Sequence, residues 1–324
     1  MPPVNRNQPK RAASSESQYS LMEFMREFPD DATCLEWLWR NRYSEDGEHA
    51  FCETCQQKRV FKRYETKQQR QSWSCTACAD KIHPMAGTIF HKSSTSLHLW
   101  FYAMYLMTST RCGISAKQME RELGVTYKTA WRMCHLIRHE LVADDETPVE
   151  GMVEADETWV GGRVRYRGAN QPTLNPDGTR KRGRRPMSQE NKTPVFGAVQ
   201  RGGRVMAVVV PDVKRASLLP HIQRRVMPTG TIFTDELKSY DTLPRSGYYH
   251  QRVNHKAGVW VSGDAHTNTI EGFWSLTKNG ILGVYHAVSS KHLQGYLNEY
   301  AWRYNHRNGD RAMFQTLIRR SVGS

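Results

Sequence analysis

The 324-residue sequence predicts a multidomain α+β protein. Three observations indicate this fold class. Two Cys-x-x-Cys pairs between residues 52 and 78 are typical of a zinc ribbon. Residues 114–133 have the pattern of a helix-turn-helix. After the acidic segment 143–148 the pattern changes to short alternating strands and helices, which predicts an α/β domain with a mixed sheet.

The charge balance favours a polyanionic partner. Forty-six Lys and Arg residues against 32 Asp and Glu give a net charge of +14, which points to nucleic acid. Seven cysteines are too few for a disulfide scaffold in a chain of this length. Residues 1–17 contain no apolar core of signal-peptide length, and the longest apolar runs, such as 100–107, are too short to span a membrane. We therefore expect a cytoplasmic, nucleoid-associated protein without a membrane partner.

The N-terminal part begins with a predicted disordered tail at residues 1–18, which are rich in Pro, Arg and Ser. Residues 19–93 are expected to hold a helical lead-in and the ribbon. Two short amphipathic helices are predicted at 19–28 and 32–42, with Asp30 or Asp31 as the cap of the second. Cys34 lies on the apolar face of that helix and is assigned to the core.

The four paired cysteines, Cys52, Cys55, Cys75 and Cys78, predict one zinc ion. The pairs are separated by 19 residues, and each turn can present two thiolates to the same metal. A closed site of four thiolates is structural, since it leaves no open position for chemistry, and so small a ribbon needs the metal to fold. The alternative is four cysteines without metal. The basic residues around the ribbon suit DNA, although a ribbon can equally hold protein.

Residues 94–145 are predicted to form the helix-turn-helix region, led by a buried apolar helix at 97–108. In the pattern that follows, Ser115 and Thr126 are predicted helix caps and Gly124 supplies the turn. The second helix carries Tyr127, Lys128 and Arg132 outward, where they are expected to contact DNA. A plain helical connector is the alternative.

Residues 146–310 are predicted to be the α/β domain, followed by a C-terminal tail at 311–324. Strands are expected at 151–156, 194–200, 205–210, 231–235 and 248–254. Helices are expected at 214–226, from residue 268, and at 291–304. Three strands, a helix, a strand, a helix, a strand and a helix is the order of a ribonuclease-H-like sheet.

An insertion at residues 163–192 interrupts this domain. It contains nine basic and two acidic residues, so its net charge of +7 is half the excess of the whole chain. Its Gly and Pro content excludes regular structure, and we expect an arm that orders against phosphates. The alternative is a solvated loop. The expected DNA contacts are Arg180, Lys181, Arg182, Arg184 and Arg185.

Three acids are expected to meet in the α/β domain. Asp156 and Asp235 each end a predicted strand. Glu271 lies on a helix whose polar face also carries Asn268, Ser275 and Lys278. Carboxylates brought together repel one another unless a cation lies among them, and Mg²⁺ or Mn²⁺ prefers such oxygen ligands.

Three further acids lie beside this trio. Glu154 shares the face of Asp156, and we interpret it as structural rather than as support for the metal. Glu157 and Glu236 are expected to point away from the site if their strands continue.

The chain resembles the bacterial insertion-sequence transposases that carry an N-terminal zinc ribbon and an integrase-like D-D-E nuclease domain. The resemblance extends over residues 20–308. The motifs that carry it are the two Cys-x-x-Cys pairs, GTIFHK at 87–92, GVTYKTAWRM at 124–133, EADETWVGG at 154–162, TDE at 234–236 and NTIEGFWS at 268–275.

The resemblance implies a ribonuclease-H-like core with two catalytic divalent ions that cleaves a DNA strand and then transfers it. Asp156 and Asp235 correspond to metal ligands. The third position is assigned to Glu271, with Asn268 as a second contact, because some members have an asparagine there. Lys278 is expected to contact a phosphate or base beside the scissile bond.

The expected function is therefore a DNA transposase that binds the terminal inverted repeats of its element and a target DNA, as a homodimer or higher oligomer. One alternative is a DNA-binding regulator whose C-terminal domain is inert, although the intact trio of acids counts against it. Another is a domesticated nuclease that cuts without strand transfer.

Overall fold

The computed structural model describes residues 19–65, 71–143, 146–161, 192–253, 266–309 and 311–323. The chain forms two compact units: residues 1–142 with 306–324, and residues 143–305. The predicted tail at 1–18 lies outside the described residues. So does the predicted basic insertion, apart from Lys192. No helix among the described residues is long and apolar enough to cross a membrane.

The first unit opens with two capped helices, α1 (Leu21–Glu27) and α2 (Asp31–Arg42). Asp30 is the cap of α2, because its Oδ1 accepts a hydrogen bond of 2.7 Å from the Thr33 backbone N–H. Cys34 is fully buried, as predicted. On the same helix, the ring of Trp39 stacks on Trp73 at 4.8 Å, which packs α2 against the ribbon.

The ribbon is an antiparallel sheet of four strands in the order β1-β2-β3-β4. Its strands are β1 (His49–Cys52), β2 (Gln57–Glu65), β3 (Gln71–Cys75) and β4 (Lys81–Ile82). Cys52 lies at the end of β1 opposite Gln57, and Cys75 lies at the end of β3 opposite Phe61. Each Cys-x-x-Cys pair therefore begins at a strand end and continues into a turn.

Helix α3 (Leu97–Ser109) is apolar and buried along most of its length, as predicted. It precedes α4 (Ala116–Leu123) and α5 (Tyr127–Leu136), which form the two helices of the predicted helix-turn-helix. Gly124 ends α4 with a φ of 64°, a conformation that glycine adopts without strain. One π turn, Ile137–Leu141, extends α5.

The C-terminal segment forms a helix, where the sequence predicts a tail. Helix α9 (Met313–Arg320) buries Phe314, Leu317 and Ile318, which share one face at steps of three and four residues. The ring of Phe314 stacks on Tyr19 at 5.1 Å and meets Phe24 edge-on at 5.4 Å. The end of the chain thus completes the core of the first unit.

The second unit contains a mixed sheet of five strands in the order β7-β6-β5-β8-β9, which confirms the predicted mixed sheet. Strands β5 (Met152–Val160), β6 (Thr193–Gln200) and β7 (Val205–Val209) are antiparallel neighbours. Strands β8 (Thr231–Thr234) and β9 (Tyr249–Arg252) run parallel to β5. The central strand is therefore β5, which carries Asp156.

Helices cover both faces of this sheet. Helix α6 (Arg215–Arg225) packs on one face, where Leu218 and Ile222 join a core with Phe196. Helices α7 (Asn268–Gly280) and α8 (Ser290–His306) pack on the other face. The ribonuclease-H-like order places a helix between the fourth and fifth strands. In this chain β8 and β9 are joined instead by two short 3₁₀ turns, Lys238–Tyr240 and Pro244–Ser246, because Pro244 and Gly247 interrupt so short a connection.

Candidate active site

The pairing of β5 with β8 brings two acids together. The strands run parallel, with Glu154 opposite Phe233, and this register carried two residues further sets Asp156 opposite Asp235. Asp156, Glu157 and Asp235 each offer a carboxylate oxygen, and these three oxygens all lie within 4.8 Å of one another. The site therefore forms where β8 ends beside the middle of β5. The prediction that Asp156 ends its strand is wrong, because pairing with β6 continues β5 to Val160.

Glu157 belongs to this cluster, so the prediction that it points away is wrong. Its neighbour Asp156 faces α7, where the Trp274 indole Nε1 donates to Asp156 Oδ2 at 3.0 Å. Glu157 lies on the side of Tyr240, whose hydroxyl donates to Glu157 Oε2 at 2.8 Å. Asp235 follows the last residue of β8, and from there its carboxylate reaches both neighbours.

The pKa values of two acids in the cluster are raised. Burial, together with the charges of Asp235 and Glu271, raises the pKa of Asp156 to about 7. Burial also raises the pKa of Glu157 to about 7, although the hydrogen bond from Tyr240 opposes the rise. These values indicate negative charge that the described surroundings do not fully compensate. A divalent cation would compensate it.

The helix residues of the predicted site lie on α7. Glu271 is exposed, and its charge acts on Asp156, but it is not part of the group of three oxygens within 4.8 Å. Its Oε1 accepts a hydrogen bond of 2.7 Å from the Thr267 hydroxyl. Asn268 is the exposed first residue of α7. Burial lowers the pKa of Lys278, and the negative charge of Asp156 opposes this, so the ammonium group lies in the field of the cluster.

Glu154 is the site residue that the sequence signals least clearly. It lies two residues before Asp156 on β5, is completely buried, and has both carboxylate oxygens engaged. Its spacing from Asp156 is the signal in the sequence, because residues two apart on a strand share a face. The polar groups around it are the Arg201 guanidinium, the His266 ring, the Thr269 N–H and hydroxyl, and the Ile270 N–H.

The four ribbon cysteines also meet. Each offers its sulfur within 4.8 Å of the others, and the sulfur atoms of Cys52 and Cys78 are 3.5 Å apart. Gln56 and Ala79, which follow the two pairs, both have positive φ, at 55° and 60°. Each pair is therefore followed by a residue in the left-handed region. Four convergent sulfur ligands fit a structural Zn²⁺.

The helix-turn-helix exposes the side chains predicted to face outward. Tyr127, Lys128 and Arg132 are all exposed on α5, and Trp131 is exposed beside them. The Lys117 ammonium lies 5.3 Å from the centre of the Tyr127 ring. The five basic residues between 180 and 185 lie outside the described residues, so their predicted DNA contacts stay a prediction.

Comparison with known proteins agrees with this architecture. Residues 148–305 match the ISXO2-like transposase domain. The chain is 31% identical over 269 residues to an uncharacterized protein in transposable element ISH50 of Halobacterium salinarum, covering 82% of this chain and 86% of that protein. It is 36% identical over 102 residues to an uncharacterized transposase-like protein of Haemophilus influenzae, covering 32% of this chain and 81% of that protein.

Among solved structures, a pre-cleavage Mos1 transpososome matches 69% of this chain and 79% of that chain, at 13% identity and a TM-score of 0.25. This score is too low to support an argument. The two sequence relatives and the domain match define the protein as a transposase. The chain belongs to the insertion-sequence transposases that carry an ISXO2-like transposase domain.

Proposed function

We propose that this transposase binds the terminal inverted repeats of its insertion sequence and catalyses metal-dependent cleavage and strand transfer of the element ends. The convergence of Asp156, Glu157 and Asp235 carries the proposal, because their oxygens lie within 4.8 Å of one another in the domain that matches the transposase family. A clustered set of carboxylates fits hard divalent cations, which prefer oxygen ligands.

Asp156 and Asp235 would hold Mg²⁺ or Mn²⁺, with Glu157 and the helix residues Glu271 or Asn268 as the further oxygen donors. Such ions, when bound, activate a water or a sugar 3′-hydroxyl and stabilise the leaving oxygen of a phosphodiester. The same two aspartates therefore serve cleavage and joining.

The other side chains of the site orient the two aspartates and balance their charge. Trp274 donates to Asp156 Oδ2 and so helps to fix the orientation of that carboxylate. The Leu237 backbone N–H donates to Asp235 Oδ1 at 2.9 Å, which fixes that carboxylate in a similar way. Lys278 would pair with a phosphate of the DNA, because an ammonium group forms a strong charge-assisted hydrogen bond with a phosphate oxygen.

DNA recognition is divided between two surfaces in this proposal. The exposed residues Tyr127, Lys128 and Arg132 on α5 contact the terminal repeats, as a recognition helix does. The basic insertion binds backbone phosphates irrespective of the DNA sequence. Assembly as a homodimer or higher oligomer on DNA pairs the two element ends.

The test is incubation of the purified protein with Mg²⁺ and DNA that carries the flanking terminal repeats, followed by mapping of the products. Asp156→Asn and Asp235→Asn should abolish cleavage and joining together while repeat binding is retained. Glu53→Gln in the exposed ribbon turn is a control that should leave both steps unchanged. Cleavage by either aspartate variant at the wild-type rate would refute the proposed site, and cleavage without joining by the wild-type protein would identify a nuclease instead.

The third ligand is tested by comparing Glu271→Ala with Asn268→Ala. A carboxylate binds Mg²⁺ far better than a neutral amide, so the glutamate variant should lose more activity. Full strand transfer by Glu271→Ala together with an inactive Asn268→Ala would assign the asparagine instead.

A further inference from the structure

Helix α7 begins without a side-chain cap of its own. Thr267 occupies the capping position, but its side chain accepts no bond from the first turn. The Thr267 hydroxyl instead donates to Glu271 Oε1 at 2.7 Å. The backbone N–H groups of the first turn, which have no partner within the helix, therefore need an acceptor from elsewhere in the protein.

Glu154 of β5 provides that acceptor. Its Oε2 accepts from the Thr269 N–H at 2.8 Å and from the Ile270 N–H at 3.0 Å. Its Oε1 accepts from the Thr269 hydroxyl at 2.9 Å. A negative charge at this position also interacts favourably with the positive end of the helix dipole. The sheet thus caps the helix that carries Glu271.

Arg201 holds the buried carboxylate in place. Its Nε donates to Glu154 Oε1 at 2.7 Å, and another guanidinium nitrogen donates to the His266 carbonyl at 2.9 Å. The guanidinium also lies 4.2 Å from the centre of the Phe233 ring. Arg201 therefore ties the capping carboxylate to the backbone just before α7. A buried carboxylate with this many donors has no oxygen left for a metal.

A second attachment lies further along α7. Trp274 donates to Asp156 on the same face of β5, and its indole fills the space left by Gly197, where a Cβ atom would lie 2.5 Å from Trp274 Cζ2. Two contacts between α7 and β5, one at the start of the helix and one in its second turn, fix both the position and the rotation of the helix. Glu271 lies between them.

We infer that Glu154 is a positioning residue of the active site, which caps α7 from the sheet and so holds Glu271 in place relative to Asp156. The inference rests on the proposed function, and it adds a residue that acts through α7 rather than on metal or DNA. Its consequence is that loss of the Glu154 carboxylate should loosen the start of α7 and weaken cation binding without weakening DNA binding.

The experiment uses the full chain with Glu154→Gln, since glutamine keeps the shape but cannot accept on both sides. Hydrogen exchange of the peptide covering α7 should become about tenfold or more faster, a change of the size that one lost helix cap produces. The peptide covering α6 should not change. Calorimetric Mn²⁺ affinity and the cleavage rate at saturating DNA should fall about tenfold or more, and high Mn²⁺ should restore part of the rate.

Two further variants make the test selective. Glu150→Gln removes an exposed carboxylate four residues earlier and should change none of these values. Thr269→Val removes one hydroxyl donor to Glu154 and keeps the backbone bond, so it should give a smaller change in the same direction. It also preserves the test if Glu154→Gln does not fold.

Unchanged exchange in α7 would overturn the capping role in a folded Glu154→Gln protein. Faster exchange with unchanged Mn²⁺ affinity and cleavage would overturn the positioning role. If the wild-type protein does not cleave DNA, the proposed function fails, whereas the exchange and Mn²⁺ measurements still decide whether Glu154 positions the site.

Discussion

Replacing Asp156 with asparagine is expected to stabilise the metal-free protein at pH 8. Burial and the neighbouring charges raise the pKa of this carboxyl from 3.8 to about 7. Between about pH 4 and about pH 7 the folded protein therefore binds more protons at Asp156 than the unfolded chain does. The free energy of unfolding must fall as the pH rises through this window.

The size of the effect follows from the same shift. A rise from 3.8 to about 7 corresponds to about 4 kcal/mol, at roughly 1.36 kcal/mol per pKa unit. Asparagine is neutral, its oxygen can still accept the Trp274 hydrogen bond, and its burial costs part of this gain. We therefore expect a stabilisation of about 2–4 kcal/mol at pH 8 and little difference below pH 4.

The assay is urea unfolding in EDTA, followed by hydrogen exchange of the β5 peptide, at pH 4 and pH 8. Asp212→Asn is the control, because the pKa of Asp212 is shifted in the opposite direction. Hydrogen bonds from Ser217 and the Lys214 N–H lower that pKa, so replacing this carboxylate should not stabilise the protein. Mg²⁺ at about 100 times its Kd should add about 2.7 kcal/mol to the wild type and less to Asp156→Asn. Equal stability of Asp156→Asn and wild type at pH 8 in EDTA would refute this account.

Two further predictions concern packing and the zinc ribbon. Gly197→Ala should destabilise the second unit by about 1–3 kcal/mol, because the new methyl group meets the Trp274 ring. Gly272→Ala, on the exposed surface of α7, should instead stabilise it slightly. Equal melting temperatures for the two variants would contradict this prediction. Cys75→Ser should abolish the binding of one Zn²⁺ per chain and unfold the ribbon. Cys112→Ser, outside the cluster, should do neither. Metal analysis that finds no zinc in folded wild-type protein would exclude the site.

Local features of the fold were predictable because neighbouring residues decide them. Asp30 and Thr126 cap their helices in the predicted positions, and Gly124 forms the predicted turn with positive φ. The two Cys-x-x-Cys pairs converge because each turn is short enough to define its own geometry. Hydrophobic periodicity likewise identified the strands of the second unit and the helix that carries Glu271.

Two other features of the fold differ from the prediction. The helix at 313–320 has an apolar face, yet its place in the core becomes evident only from Tyr19 and Phe24 at the opposite end of the chain. Between the last two strands, by contrast, local residues decide the outcome, because Pro244 and Gly247 leave room for 3₁₀ turns only.

The sequence by itself determined the family, the paired cysteines and the pair of aspartates, Asp156 and Asp235, since these depend on short motifs and on the period of each element. Only the tertiary structure decided which further carboxylates join them. Glu157 enters the cluster because Asp235 lies beyond the end of its strand, and Glu154 is drawn away from it to cap α7. The physical reason is that a side chain's role depends on the strand register and on helix docking, which are established by contacts between residues far apart in the sequence.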